Sequence, residues 1–171
     1  MPNLIQKTLC VVKPDGVRRG LIGSVLTRFE RAGLKIVATK MVLVDRKMAE
    51  DHYLYDDIAT RHGKVVWKSL IDFITSSPVF AFVVEGVESI EVARKLCGST
   101  EPKTASPGTI RGDFSYHSFN YANGKKFSIY NVIHASANIE DAIREIPIWF
   151  KENEILTYRR DDELEHYYDC F

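Results

Sequence analysis

The sequence predicts an α+β sandwich of the ferredoxin-like βαββαβ type, a four-stranded antiparallel sheet with flanking helices, extra helices and a C-terminal tail. Three observations predict it. Short Val- and Ile-rich runs alternate with segments of helical apolar spacing. Their order is strand, helix, strand, helices, strand, helix, strand, helix. The 171 residues, 45% hydrophobic and 27% charged, suit one domain over 1–171, with no repeat, linker or low-complexity stretch to divide it. Interleaved helices also fit a small doubly wound sheet, and periodicity leaves the two open.

Thr8-Leu9-Cys10-Val11-Val12 is an apolar run stopped by Lys13-Pro14-Asp15-Gly16, which reads as a buried strand entering a turn. From Leu21, the residues Ile22, Val25, Leu26 and Phe29 share a helical face, and Gly33 is a stop. Leu34 to Val44 alternates as a strand. Asp45 caps a short helix through His52 and Tyr53, residues 55–64 are polar and ambiguous, and a helix covers 66–75. Pro78 precedes a strand over 79–84, and Gly86 turns the chain into a helix from Ser89 to Leu96. An irregular stretch runs from Gly98 to about Asn123, before a strand over 127–133. Asn138 caps a last helix over 139–150, with Ala142, Ile146 and Trp149 as its buried stripe.

Composition narrows the function. The 23 basic and 23 acidic residues cancel, which argues against a nucleic-acid or membrane-surface role. No apolar run approaches the roughly 20 residues of a spanning helix. The N-terminus has no signal-peptide core, and Cys10, Cys97 and Cys170 make neither a disulfide framework nor a zinc motif. The expectation is a soluble cytoplasmic domain.

Three cations stand where loops leave regular elements: Lys13, Arg94 and Arg111. Arginine offers a planar fork to phosphate oxygens and lysine a compact charge, with Thr100 adding a hydroxyl. Each alone reads as a solvated surface charge, and a sequence does not show that they converge. Of five histidines, His52, His62, His117 and His166 read as surface residues. His134 differs, because it ends an apolar strand and precedes Ala135-Ser136-Ala137-Asn138, which opens a helix. A histidine there can act as nucleophile or base once its second nitrogen is held by an acceptor, and Glu145 is the candidate if its helix folds back. Spacing alone favours a satisfied, half-buried histidine. A P-loop and a protein-only metal motif are absent from the sequence.

These segments together resemble the nucleoside diphosphate kinase family over about residues 8–150. The matching blocks are Lys13-Pro14-Asp15-Gly16-Val17 with Arg19-Gly20-Leu21; Arg28-Phe29-Glu30; His52-Tyr53; Arg94-Lys95 with Leu96, Gly98 and Thr100; residues 107–114; Asn131-Val132-Ile133-His134; and Arg144-Glu145-Ile146 with Trp149-Phe150. The resemblance implies the ferredoxin-like fold and transfer of a γ-phosphoryl group from a nucleoside triphosphate to a nucleoside diphosphate through a phosphohistidine, with Mg²⁺ carried by the nucleotide. By position, His134 corresponds to the phosphorylated histidine, and Ser136 and Glu145 to the residues that support it. Lys13, Tyr53, Val66, Leu70, Arg94, Thr100, Arg111 and Asn131 correspond to nucleotide contacts, Lys13 serving catalysis as well. A homo-oligomer, hexamer or tetramer, is implied.

The chain also departs from the family pattern. Ala135-Ser136-Ala137 stands for Gly-Ser-Asp, and residues 55–64 are longer than expected. Where the family stacks a phenylalanine on the base, this chain has Val66 with Trp67 beside it, and Trp67 reads either as a substitute or as core. Residues 115–130 are also long, and Asn123-Gly124 between aromatic runs predicts a β-hairpin packed on a neighbouring subunit. The tail from Glu152, with Tyr158, Tyr167, Tyr168 and Phe171, is expected to dock. Finally, Asn131 and His134 lie three apart, so both reach one ligand only if the strand ends or bends between them.

Overall fold

The computed structural model describes residues 4–161. Its sheet has the order β2-β3-β1-β4, built from β1 (Ile5–Val12), β2 (Lys35–Val42), β3 (Val79–Val87) and β4 (Ile133–Ala135). Every ladder is antiparallel, which selects the ferredoxin-like sandwich and excludes the doubly wound sheet.

Alternation along β1 divides the core in two. Leu9 and Val11 face α3 (Arg46–His52), α5 (Lys64–Ile74) and α9 (Ile139–Trp149), with Ile71, Ile74, Tyr53 and Trp149 in that layer. Cys10 and Val12 face α2 (Ile22–Arg31) and α6 (Ser89–Cys97), with Phe29, Phe82, Ala93 and Ile110 in the other. His134 pairs with Val11 and so belongs to the α3/α9 side, while Ile133 and Ala135 belong to the α2/α6 side.

Several expectations are corrected. Lys13-Pro14-Asp15-Gly16 is more than a turn: it opens a short helix, α1 (Pro14–Arg18), with Pro14 at its first position. Residues 55–62 form α4 (Tyr55–His62), separated from α5 by Gly63 at φ 91°. Gly86 does not turn the chain; it pairs with Gln6 inside β3. The irregular stretch contains α7 (Ile110–Phe114), capped by Thr109 Oγ1, which accepts from the Gly112 amide at 3.1 Å.

The strand expected over 127–133 shrinks to Ile133–Ala135, because β1 ends at Val12 and gives residues 127–131 no ladder partner. The expected hairpin is a helix, α8 (Phe119–Lys125), because Ser118 Oγ caps it by accepting from the Tyr121 amide at 3.2 Å, and Asn123-Gly124 falls in its last turn. The described part of the tail lies on the chain's own β2 edge, where the Leu156 amide donates to Val37 O and the Tyr158 hydroxyl to Ile36 O, both at 2.8 Å. His166, Tyr167, Tyr168, Cys170 and Phe171 lie outside the described residues.

Candidate active site

The chain bends between Asn131 and His134 at Val132, whose φ of 69° is a left-handed conformation that a β-branched residue adopts at a cost of about 1–3 kcal/mol. Three hydrogen bonds hold it there. The Lys13 amide donates to Val132 O at 2.8 Å, the Val132 amide to Asp15 Oδ2 at 2.9 Å, and the Ile133 amide to Asn131 O at 2.7 Å. Gly16 lets the two segments meet, since a Cβ there would stand 3.0 Å from Val132 O and 2.7 Å from the Val12 side chain. The Lys13-Pro14-Asp15-Gly16 segment thus clamps a strained turn that carries Asn131 on one side and His134 on the other.

The Nε2 atom of His134 lies 2.9 Å from Glu145 Oε2, and Ser136 Oγ donates to the same oxygen at 2.7 Å. Glu145 is one of the buried residues of α9, with Ala142 and Trp149, so the helix that lies against the sheet also delivers the carboxylate. Burial works to raise the Glu145 pKa, but the His134 ring and its hydrogen bond, then the His52 ring and the Ser136 hydroxyl, outweigh it and hold the group at about 2. An ionised carboxylate only accepts, so Nε2 carries a proton, and in the neutral ring the lone pair is on Nδ1. The His134 side chain is 18% exposed, which leaves the ring reachable.

The three cations bind residues that flank His134. Arg111 donates to Gly98 O and to Ile133 O, both at 2.7 Å, and Arg94 to Ala135 O at 3.4 Å, so two guanidinium groups bracket the residues on either side of His134. Lys13 Nζ donates to Asn131 Oδ1 at 2.9 Å, and Asn131 Nδ2 donates to Thr100 O at 2.8 Å. Burial, followed by the nearby Arg111 charge, lowers the Lys13 pKa to about 8. Arg111 is itself 5% exposed and held by the α7 turn, which Arg28 secures through an ion pair with Asp113 and a bond to Gly108 O at 2.8 Å. A Cβ on Gly112 would meet Ser106 O at 2.1 Å, so that turn requires glycine.

The remaining sequence-derived positions fall at different depths. Tyr53 is buried, with its ring 6.1 Å from that of His134 and its hydroxyl unpartnered among the described residues. Val66 and Leu70 are half-buried on α5, and Thr100 is exposed. Trp67 is core: its Nε1 donates to Tyr53 O at 2.8 Å and its ring meets Tyr55, so it fixes Tyr53. A cavity of about 300 Å³ opens between α5 and residues 126–130, lined by Ser69, Phe73, Ser128 and Tyr130, and does not reach His134.

Two histidines read as surface residues are not. His117 is half-buried and stacks on Tyr130 at 5.1 Å. His52 is 2% exposed, with its ring 4.5 Å from that of His134. Its polar sequence neighbours concealed it, because they point outward from α3 while His52, the last residue of that helix, points in. Asp15 is a further functional residue, and its hydrogen bond to a residue 117 positions away leaves no local signal in the sequence.

His52, His134 and Glu145 bring ligand atoms within 4.8 Å of one another. That N/N/O set suits a borderline transition metal, and His52 Nδ1 is already engaged by Trp149. Mg²⁺ prefers several oxygens. The Glu145 oxygens are taken by His134, Ser136 and Arg144.

A family model described as nucleoside diphosphate kinase matches residues 6–155. The chain belongs to the nucleoside diphosphate kinase family. A nucleoside diphosphate kinase of Borreliella burgdorferi is 76% identical over 165 residues, covering 96% of this chain and 99% of that one. One from Pyrococcus furiosus is 48% identical, covering 91% and 89%. Among solved structures, a transition-state mimic of the Borrelia burgdorferi enzyme with bound vanadate and ADP superposes with a TM-score of 0.95, covering 96% of this chain and 98% of that chain at 76% identity. A halophilic Halobacterium salinarum enzyme in complex with CDP gives 0.79 at 39% identity, covering 94% and 97%. The reaction is therefore phosphoryl transfer from a nucleoside triphosphate to a nucleoside diphosphate, and a catalytically silent nucleotide-binding relative is not favoured.

Proposed function

We propose that this single domain works by a ping-pong mechanism in which His134 carries the phosphoryl group. The observation that carries the reading is the tie between Nε2 and Glu145, which leaves Nδ1 as the free nucleophile amid Lys13, Arg94 and Arg111. Nδ1 attacks the γ-phosphorus in line, forming the N–P bond as the bond to the β,γ-bridging oxygen breaks and its electron pair leaves with the nucleoside diphosphate. A second nucleoside diphosphate reverses the step. The transition state spreads charge over three equatorial oxygens, so fixed cations and positioning supply the catalysis. Glu145 balances the imidazolium charge that develops, and Ser136 keeps Glu145 oriented.

Lys13, Tyr53, Arg94, Thr100, Arg111 and Asn131 hold the phosphates and sugar in this reading. Val66 and Leu70 meet the base, with a valine face in place of aromatic stacking. Mg²⁺ enters with the nucleotide as part of the substrate, neutralising phosphate charge. Exposed Phe119 and Tyr121 on α8 and Tyr116 before it, together with Met41 and Leu43 at the sheet edge, support assembly into a hexamer or tetramer, which light scattering would register as six or four chain masses. Free, buried Cys10 and Cys97 suit a reducing cytoplasm.

The deciding experiment incubates the full chain with γ-³²P-ATP. The wild type takes up label and releases it to any added nucleoside diphosphate, whereas His134→Ala takes up none. Retention of label by that variant would end the assignment.

A further inference from the structure

His52 is the buried group beside the reacting ring that the mechanism above does not use. Its ring lies perpendicular to three others: His134 at 4.5 Å and 80°, Tyr53 at 4.4 Å and 72°, and Trp149 at 5.4 Å and 89°. Trp149 Nε1 donates to His52 Nδ1 at 3.2 Å. An indole nitrogen only donates, so Nδ1 of His52 is unprotonated and its ring proton sits on Nε2, which has no partner among the described residues. The ring is therefore anchored at one corner by Trp149, and the same Nδ1 lies 3.9 Å from Glu145 Oε1, beyond hydrogen-bond reach.

Histidine χ2 is a soft torsion. In an imidazole the Cβ–Cγ axis, extended, passes between Cε1 and Nε2, so turning the ring about that axis displaces Nδ1 more than Nε2. The bond from His134 Nε2–H to Glu145 therefore restrains the donor end of the ring more than it restrains Nδ1. A second ring standing edge-to-face against it determines the plane.

We propose that His52 is a positioning residue for phosphoryl transfer: held by Trp149 and packed perpendicular to His134, it sets the plane of the nucleophile's ring and so aims Nδ1 at the phosphorus. The inference rests on His134 being the phosphoryl carrier. Two features agree with it. Burial, then the neighbouring His134 and, more weakly, Arg144 and Lys13, hold the His52 pKa well below its ordinary value against the upward pull of Glu145. His52 itself hydrogen-bonds to no residue assigned to the nucleotide, so it acts on aim and not on affinity.

Two substitutions separate this role from packing alone. His52→Gln keeps an acceptor for Trp149 but removes the ring, and kcat should fall about ten-fold or more with KM within about two-fold, since small misalignments of reacting atoms are costly. His52→Phe loses the acceptor but keeps the ring, and should retain most of kcat even though its melting temperature falls. If kcat follows melting temperature in both variants, or if His52→Gln turns over like wild type, the proposal is overturned. In the unsubstituted full chain at neutral pH, ¹⁵N-histidine spectra should show His52 protonated at Nε2 alone. A proton on Nδ1 would overturn the proposal even if neither variant folds. Label appearing on His134→Ala would instead defeat the phosphohistidine reading, so the two failures are distinct.

Discussion

The turn at residues 131–133 and the aromatic segment at 115–130 adjoin in the chain and are built on opposite terms. In the turn, Val132 sits at φ 69° and is gripped by Lys13, Asp15 and Asn131, with Val132 and Asn131 buried. In the segment, Ser118 caps a seven-residue helix from within, Tyr116 is 88% exposed, and the aromatic contacts of His117, Tyr121, Phe127 and Tyr130 are mostly with one another. The turn is determined by residues more than a hundred positions away; the segment is largely determined by itself. Chemistry sits on the side where surrounding structure over-determines the backbone, because only there can strain persist and aim a side chain.

That contrast can be broken at three levels. Glu145→Gln removes the charge opposite the reacting imidazole, and single-turnover phosphorylation of His134 should slow by about 10²–10³-fold. The same residue makes a pH test. Its folded pKa of about 2 lies below the ordinary 4.5, so its contribution to stability is full above that ordinary value and is lost as pH falls toward 2. Urea unfolding across that range should show a steeper loss of stability in the wild type than in the Gln variant.

Asp15→Ala comes next. It leaves the buried Val132 amide unpaired, costing about 1–3 kcal/mol, and lets the turn relax. Exchange should fall about 100-fold, for a shift of about 1 Å in the reacting group. Full activity in a variant of normal melting temperature would show that the turn holds without its clamp. Smallest is Ser118→Ala, which removes the cap of α8. It should cost about 1 kcal/mol in urea unfolding and leave exchange unchanged, and a loss of activity there would erase the distinction between the two regions.

Residues with local signatures were legible in advance. The Asp45 and Asn138 caps and the helix that carries Glu145 lie where the pattern placed them, and the strand read from Thr8 is there but starts earlier, at Ile5, because hydrophobic spacing and a capping oxygen are short-range facts. Gly86 and Asn123-Gly124 misled, since each carries a turn signal that tertiary context overrode: Gly86 was needed in a ladder with β1, and Asn123-Gly124 inside a helix already capped by Ser118. His52 misled in the other direction, its burial being decided by Trp149 from another helix.

The sequence by itself determined the alternation of elements, the cap and stop residues, and a set of cations, an imidazole and a carboxylate with the right chemistry, because each of these is fixed within a few residues of chain. Only the tertiary structure decided that Lys13, Arg94, Arg111, Asn131 and His134 share one place, that Val132 bends to allow it, and that His52 lies beneath the reacting ring. Those arrangements depend on segments brought together by burying both faces of the sheet, and no local pattern encodes a distance between residues a hundred positions apart.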